Sequence, residues 1–133
     1  MSKIAEYLNE HILGEITGSK AIRARYSRDG SILSIQPELV IFPRVTNDIR
    51  KAARFSWQLA EKGHVLPLTV RGSGSDTTGG AIGKGLIINT TAHLNNIIYI
   101  ALKDKEHFVH AQPGVTFKAL NDALNWHGLS VPT

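Results

Sequence analysis

Between an apolar stretch at residues 65–70 and another at residues 85–89 runs Arg71-Gly72-Ser73-Gly74-Ser75-Asp76-Thr77-Thr78-Gly79-Gly80. Such a loop can bring its backbone close to a ligand. Glycine permits positive φ and places no side chain between main chain and guest, so consecutive N–H groups can turn inward as a concave anion site. Ser73, Ser75, Thr77 and Thr78 add hydroxyl donors, and Arg71 adds positive charge. The guest this chemistry suits is a phosphate or pyrophosphate. The competing reading is an ordinary interstrand turn, since the same residue types dominate turns.

Two familiar phosphate-binding patterns fail here. A Gly-x-Gly-x-x-Gly fingerprint would need a third glycine where Thr77 stands. A Gly-x4-Gly-Lys-Ser/Thr loop has its Gly83-Lys84 pair, but Thr78 and Gly85 occupy the flanking positions. Neither a nicotinamide-binding nor an ATPase assignment follows.

The elements around the loop predict an α/β unit. Ser2 caps a first helix with Ile4, Tyr7, Leu8 and Ile12 on one face and Gly14 as its stop. Residues 15–34 show no sustained period and read as irregular, with Asp29-Gly30 as a turn. Leu39-Val40-Ile41-Phe42, bounded by prolines, suits a buried strand. Thr46 is expected to cap a helix over residues 47–62, with Asp48 in its first turn. Its inner stripe is Ile49, Ala52, Ala53, Trp57 and Ala60, and Gly63 ends it. A strand at residues 65–70 follows, parallel to the first, and delivers the glycine loop at its C-terminal end. A third strand covers residues 86–89. Residues 96–102 and 107–112 read as a hairpin across residues 103–106, and Thr116 caps a final helix carrying Phe117, Leu120 and Leu124.

Composition narrows the function classes. The chain has 133 residues, enough for one domain with a core and too few for two ordinary ones. It has no cysteine, which removes disulfides, Fe–S ligation and thiol nucleophiles. The net charge of +4 is scattered. Its one basic cluster, residues 20–28, holds a single aromatic, Tyr26, and the chain's 7% aromatic content offers no interleaved stacking platform, so nucleic acid is not an expected partner. His107 and His110, three apart on a strand, fall on opposite faces, and no metal site is expected. No apolar run approaches the ~20 residues of a membrane span, and no signal-peptide core is present, so a cytoplasmic location is expected. Asn89-Thr90-Thr91 matches the glycosylation acceptor pattern but reads as a strand end.

The succession of Tyr26-Ser27-Arg28-Asp29-Gly30-Ser31, Pro37-Glu38-Leu39-Val40-Ile41-Phe42-Pro43-Arg44, the glycine loop, and Gln112-Pro113-Gly114-Val115 carries a family resemblance. From about Leu13 onward the chain resembles the N-terminal part of FAD-linked oxidases with a vanillyl-alcohol-oxidase or p-cresol-methylhydroxylase (PCMH) type flavin domain. The D-lactate and glycolate dehydrogenase branch is the most similar. The resemblance implies a mixed α/β (α+β) fold, the first subdomain of a PCMH-type FAD-binding domain: a small parallel βαβ sheet plus a β-hairpin with flanking helices. It implies an N-terminal helix and irregular segment over residues 1–36, and the subdomain proper over residues 37–133, cut short at its C-terminus.

The cofactor so implied is FAD. Its pyrophosphate contacts would be Arg71, Gly72, Ser73, Gly74, Ser75, Asp76, Thr77 and Thr78, with Gly114 toward the adenine and ribose. Some family members attach flavin covalently through a histidine in this loop. Ser75 stands at that position, which implies a non-covalent site. The implied reaction of the complete enzyme is hydride removal from a 2-hydroxy acid to the flavin, with peripheral membrane contact as an option of that enzyme. The partners implied are a second FAD subdomain and a substrate or cap domain, in cis or in trans. No catalytic residue is identified in this half. The same flavin domain also occurs in alditol and aryl-alcohol oxidases and enolpyruvyl-glucosamine reductases, and a non-catalytic half-domain that needs a partner chain is a further alternative. Apolar residues of the hairpin that would face the absent part are expected to drive self-association.

Overall fold

The computed structural model describes residues 3–103 and 106–131. Ser2, expected to cap the first helix, and the hairpin-turn residues Asp104 and Lys105 lie outside the described residues. The helix α1 spans Lys3–His11 and buries Ala5 and Leu8, with Ile12 just beyond. Tyr7, expected on its apolar face, is half-exposed and stacks on Phe55 at 5.1 Å.

The segment after α1 corrects the sequence reading. Residues 15–34 are not wholly irregular: Glu15–Thr17 forms strand β1 and Lys20–Arg25 forms helix α2. The Ser19 hydroxyl caps α2 by accepting the Ile22 N–H at 3.3 Å. Strand β1 pairs antiparallel with β2, Leu39–Phe42, in the register Ile16↔Ile41. Residues 3–17 therefore belong to the same core as the rest of the sheet, because Leu8, Ile12 and Ile16 pack in one cluster with Leu39 and Ile41.

Helix α3, Thr46–Glu61, follows β2. Thr46 is its first residue rather than its cap. The start is organised by Asp48, 1% exposed, whose carboxylate accepts N–H bonds from Arg44 (2.9 Å), Leu13 (3.0 Å) and Gly14 (3.0 Å), and a longer one from Val45 (3.4 Å). Burial pushes the Asp48 pKa up, but the N–H donors of Leu13, Arg44, Val45 and Gly14 outweigh it and hold the carboxyl below its ordinary value. One side chain thus ties the α1–β1 turn to the α3 start. The inner stripe is also shifted from expectation. Ile49 and Ala52 do face the core, but Phe55 and Leu59 join them, while Ala53, Trp57 and Ala60 are exposed. Phe55, packed against the core, also stacks on Tyr7. Gly63, at φ +82°, follows the helix end.

The sheet order is β1-β2-β4-β3, with β3 at Leu68–Arg71 and β4 at Leu86–Asn89. Strand β3 starts later than residue 65 and does not touch β2. Both are parallel to β4, which lies between them in the register Val40↔Ile87 and Val70↔Ile88. As the middle strand, β4 is buried along its whole length, as a continuous Leu-Ile-Ile run requires. Leu86 and Ile88 join the cluster beneath α1 and α3, while Val40 and Ile87 point to the opposite face. The edge strand β3 leaves Val70 exposed.

Strands β5, Ile97–Lys103, and β6, Glu106–Ala111, form the expected antiparallel hairpin as a separate two-stranded sheet. Helix α4, Phe117–Asn125, is capped by the Thr116 hydroxyl, which accepts the Ala119 N–H at 3.2 Å. Leu124 is buried as expected, whereas Phe117 is half-exposed.

Candidate cofactor site

Strands β3 and β4 run parallel and end side by side, with Arg71 opposite Asn89. Their C-terminal edge is where an α/β sheet offers a ligand crevice. The Arg71 carbonyl is fixed by the Thr90 N–H at 3.0 Å and the Thr90 hydroxyl at 3.3 Å. The loop therefore leaves the sheet from an anchored residue.

The Arg71 side chain turns back under the loop instead of reaching outward. It is 9% exposed. Its Nη1 donates to the Arg28 carbonyl at 2.7 Å and the Ala81 carbonyl at 3.3 Å, and the guanidinium lies 5.1 Å from the Tyr26 ring centroid. Gly74, at φ +78°, crosses directly above it: a β-carbon there would stand 2.1 Å from Arg71 Nη2. Only glycine fits, for its backbone angle and for the close approach.

The two halves of the loop differ. Over residues 76–80, Asp76 Oδ1 accepts the Thr78 N–H (2.7 Å), the Thr78 hydroxyl (2.8 Å) and the Gly80 N–H (3.0 Å). The Gly80 and Thr78 N–H groups, then the Thr78 hydroxyl, hold the Asp76 carboxyl below its usual range, so it is ionised at neutral pH. Asp76 and Thr78, expected around the pyrophosphate, are thus turned toward each other. Thr77 stands exposed on the rim. Over residues 73–75, by contrast, no hydrogen bond among the described residues engages the N–H groups of Ser73, Gly74 or Ser75. Those three donors, with the Ser73 and Ser75 hydroxyls 3.4 Å apart, form the open part of the cradle.

The segment 26–33, read from sequence as irregular with a turn at Asp29-Gly30, forms the loop's footing. Asp29 accepts the Ser31 hydroxyl (2.6 Å) and N–H (3.0 Å) at Oδ1, while its Oδ2 accepts the Ala81 N–H at 3.3 Å. The Ser31 hydroxyl is the main reason that its carboxyl stays below the usual range. A β-carbon on Gly30 would meet the Ser75 carbonyl at 2.9 Å and the Asp76 carbonyl at 3.0 Å, so the two loops are in backbone contact. Gly114 lies at the same sheet edge, but its N–H is spent on the Leu94 carbonyl at 2.8 Å and its Cα is covered by the Thr90 carbonyl. It packs there and is buried.

Between the strand ends and α2 lies a polar pocket of about 110 Å³, lined by Arg25, Tyr26, Arg71, Gly72, Ser73, Asn89 and Thr91. Asn89 was read from sequence only as a strand end. Its signal was available: it terminates the strand next to the one that delivers the loop.

Free N–H donors, a buried guanidinium and a loop that a β-carbon would obstruct lie together at the C-terminal edge of a parallel sheet. The fold is that of a PCMH-type FAD-binding domain. Residues 37–133 match the FAD binding domain family, and the chain belongs to that family, whose cofactor is FAD. It is 34% identical over 125 residues to D-2-hydroxyglutarate dehydrogenase of Escherichia coli (strain K12), covering 94% of this chain and 12% of that protein. It is 31% identical over 121 residues to the Pseudomonas putida (strain KT2440) protein of the same name, covering 91% and 12%. The mitochondrial cytochrome-type D-lactate dehydrogenase of Kluyveromyces lactis is 30% identical over 105 residues, covering 71% and 16%. Among solved structures, alkyldihydroxyacetonephosphate synthase superposes with a TM-score of 0.68 at 15% identity, over 86% of this chain and 23% of that one, a likeness of fold. The chain spans about one eighth of the D-2-hydroxyglutarate dehydrogenases it matches. Among the described residues, no helix is long and apolar enough to cross a membrane.

Proposed function

We propose that this chain is the pyrophosphate-holding first subdomain of an FAD-linked dehydrogenase that oxidises a D-2-hydroxy acid. The observation that carries the substrate class is the identity of 30% or more to D-2-hydroxyglutarate and D-lactate dehydrogenases across most of this chain. Those names place D-2-hydroxyglutarate beside D-lactate and glycolate as substrates to test. When bound, FAD supplies the hydride acceptor; the protein supplies binding, orientation and electrostatics. In this chain the N–H groups of Ser73, Gly74 and Ser75 donate to phosphate oxygens. The Arg71 guanidinium contributes positive charge from beneath, and Asp76 and Asp29 hold the loop in shape. Ser75 leaves FAD non-covalently bound at this position. The catalytic acid–base group and the rest of the cofactor's enclosure come from a second FAD subdomain and a substrate domain, in cis or in trans.

A titration of the purified chain with FAD, followed by flavin fluorescence and thermal shift with ADP as competitor, tests the cofactor reading. Saturable binding displaced by ADP is expected, and its absence at millimolar FAD would count against a working site in this chain. For the substrate class, the flavin-loaded enzyme containing this chain should bleach with D-2-hydroxyglutarate, D-lactate or glycolate. Bleaching only with an alditol would transfer the assignment to the oxidases that share this domain.

A further inference from the structure

Two polar groups at the ends of β3 and β4 line one pocket. Among the described residues, one is an amide with a donor that meets no acceptor and the other a guanidinium with no ion-pair partner. Asn89 is 3% exposed, and its Oδ1 accepts the Ala92 N–H and the Thr91 hydroxyl, both at 3.1 Å. A backbone N–H can only be met by the amide oxygen, so the orientation of this side chain is fixed and Nδ2 is the atom that remains. Among the described residues no acceptor meets Nδ2, and Asn89 lines the 110 Å³ pocket. No buried side-chain nitrogen or oxygen among the described residues is left unpaired, so Nδ2 is reached through the pocket, where an acceptor on a ligand can meet it.

The second group is Arg71 on the neighbouring strand. It takes part in none of the ion pairs among the described residues; carbonyls and the Tyr26 ring are its partners. A charge buried to this degree is costly without an opposite charge near it. Arg25 adds a second cation to the pocket wall, and no carboxylate lines the pocket. The pocket is small and opens to solvent, with room for a phosphoryl group.

We propose that this pocket seats one phosphoryl group of the cofactor's pyrophosphate, with Asn89 Nδ2 donating to a non-bridging oxygen and the Arg71 guanidinium balancing its charge. The assignment rests on the FAD reading and extends the phosphate site from the glycine loop to β4. Asn89 becomes a direct ligand on a strand that carries no glycine-rich motif.

The test is a nuclear magnetic resonance titration of the ¹⁵N-labelled chain with ADP, adenosine and inorganic phosphate, following the Asn89 side-chain NH2 and the backbone amides of Ser73, Gly74 and Ser75. ADP should move the Asn89 NH2 saturably and adenosine should not. N89D keeps the acceptor for Ala92 but exchanges the donor for a charge, and should weaken ADP by about tenfold or more. If N89D does not fold, the wild-type titration decides alone. Movement of the three loop amides with a static Asn89 NH2 would overturn this pocket and leave the loop reading intact. No movement anywhere at millimolar ADP or FAD would overturn both. Inorganic phosphate that saturates Asn89 as tightly as ADP would make the pocket a free-anion site and overturn its assignment to a dinucleotide.

Discussion

Gly74→Ala tests whether Arg71 and the glycine loop behave as one unit. The backbone at φ +78° costs an L-residue about 1–2 kcal/mol. The new methyl would also stand 2.1 Å from Nη2 and 2.4 Å from Cζ of Arg71, so the guanidinium must move. The bond it would then give up, to the Arg28 carbonyl at 2.7 Å, is a charged one of about 1.5–3 kcal/mol; the 3.3 Å contact to Ala81 adds little. Relaxation of a surface loop trims the sum to about 2–4 kcal/mol. For a chain of this length that corresponds to a Tm lowered by about 7–15 °C. The assay is a double-mutant cycle by urea unfolding with Gly74→Ala, Arg71→Ala and the pair. Once the guanidinium is gone, Gly74→Ala should cost only its backbone strain, so the two sites couple by about 1–2 kcal/mol. An equal cost in both backgrounds, within about 0.5 kcal/mol, would refute the steric link.

Three further outcomes are expected. Asp48→Asn should lower stability at pH 7 by about 1–3 kcal/mol. The folded carboxyl lies below its unfolded value of about 3.9, so its contribution is complete above that pH and is lost as pH falls through the lower folded value. The gap between wild type and variant therefore narrows on acid titration, and a gap undiminished at the acid limit would exclude this role. Asp29→Ala should speed hydrogen exchange at the Ala81 N–H while leaving Ile87 in β4 protected, and should weaken ADP binding; unchanged exchange at Ala81 would show that the 3.3 Å contact is idle. Finally, the chain alone should self-associate through the β5–β6 ribbon, which exposes Tyr99 and Phe108 on one face and Leu102 and Val109 on the other. Sedimentation at rising concentration would show this, Phe108→Thr should reduce it, and a clean monomer throughout would count against it.

The elements that announce themselves in sequence are those whose evidence is local. The α3 period, the glycine loop between two apolar runs, the hairpin and the Thr116 cap each sit within a dozen or so residues. Strand β1 is only three residues long and exists because Ile16 finds Ile41, far along the chain; no periodicity signals that pairing. The place of β4 between β2 and β3 is likewise a fact of assembly, since the chain order suggests β2 beside β3. Trp57 misled because a large aromatic at a helical position suggests the core, yet Phe55 holds that place, packed against the core and stacked on Tyr7. At the site, the loop was legible as a whole, but its division of labour was not. That Asp76 folds inward, that Arg71 lies beneath and that Asn89 turns a donor toward the pocket depend on side-chain directions that spacing does not encode.

The loop's footing lies upstream of the region that matches the family. Residues 37–133 contain every loop position and Asn89. The Arg28 carbonyl, the Asp29 carboxylate and the Gly30 contact all precede that boundary. A version of the chain trimmed to begin at residue 37 would keep the glycine loop and Asn89 but lose what holds the loop in place, together with Arg25 and Tyr26 of the pocket wall. By the same reasoning, sequence drift in residues 27–31 is expected to tune the loop without altering any residue of the loop itself. Variation in binding among relatives should be sought in that turn as well as in the glycines.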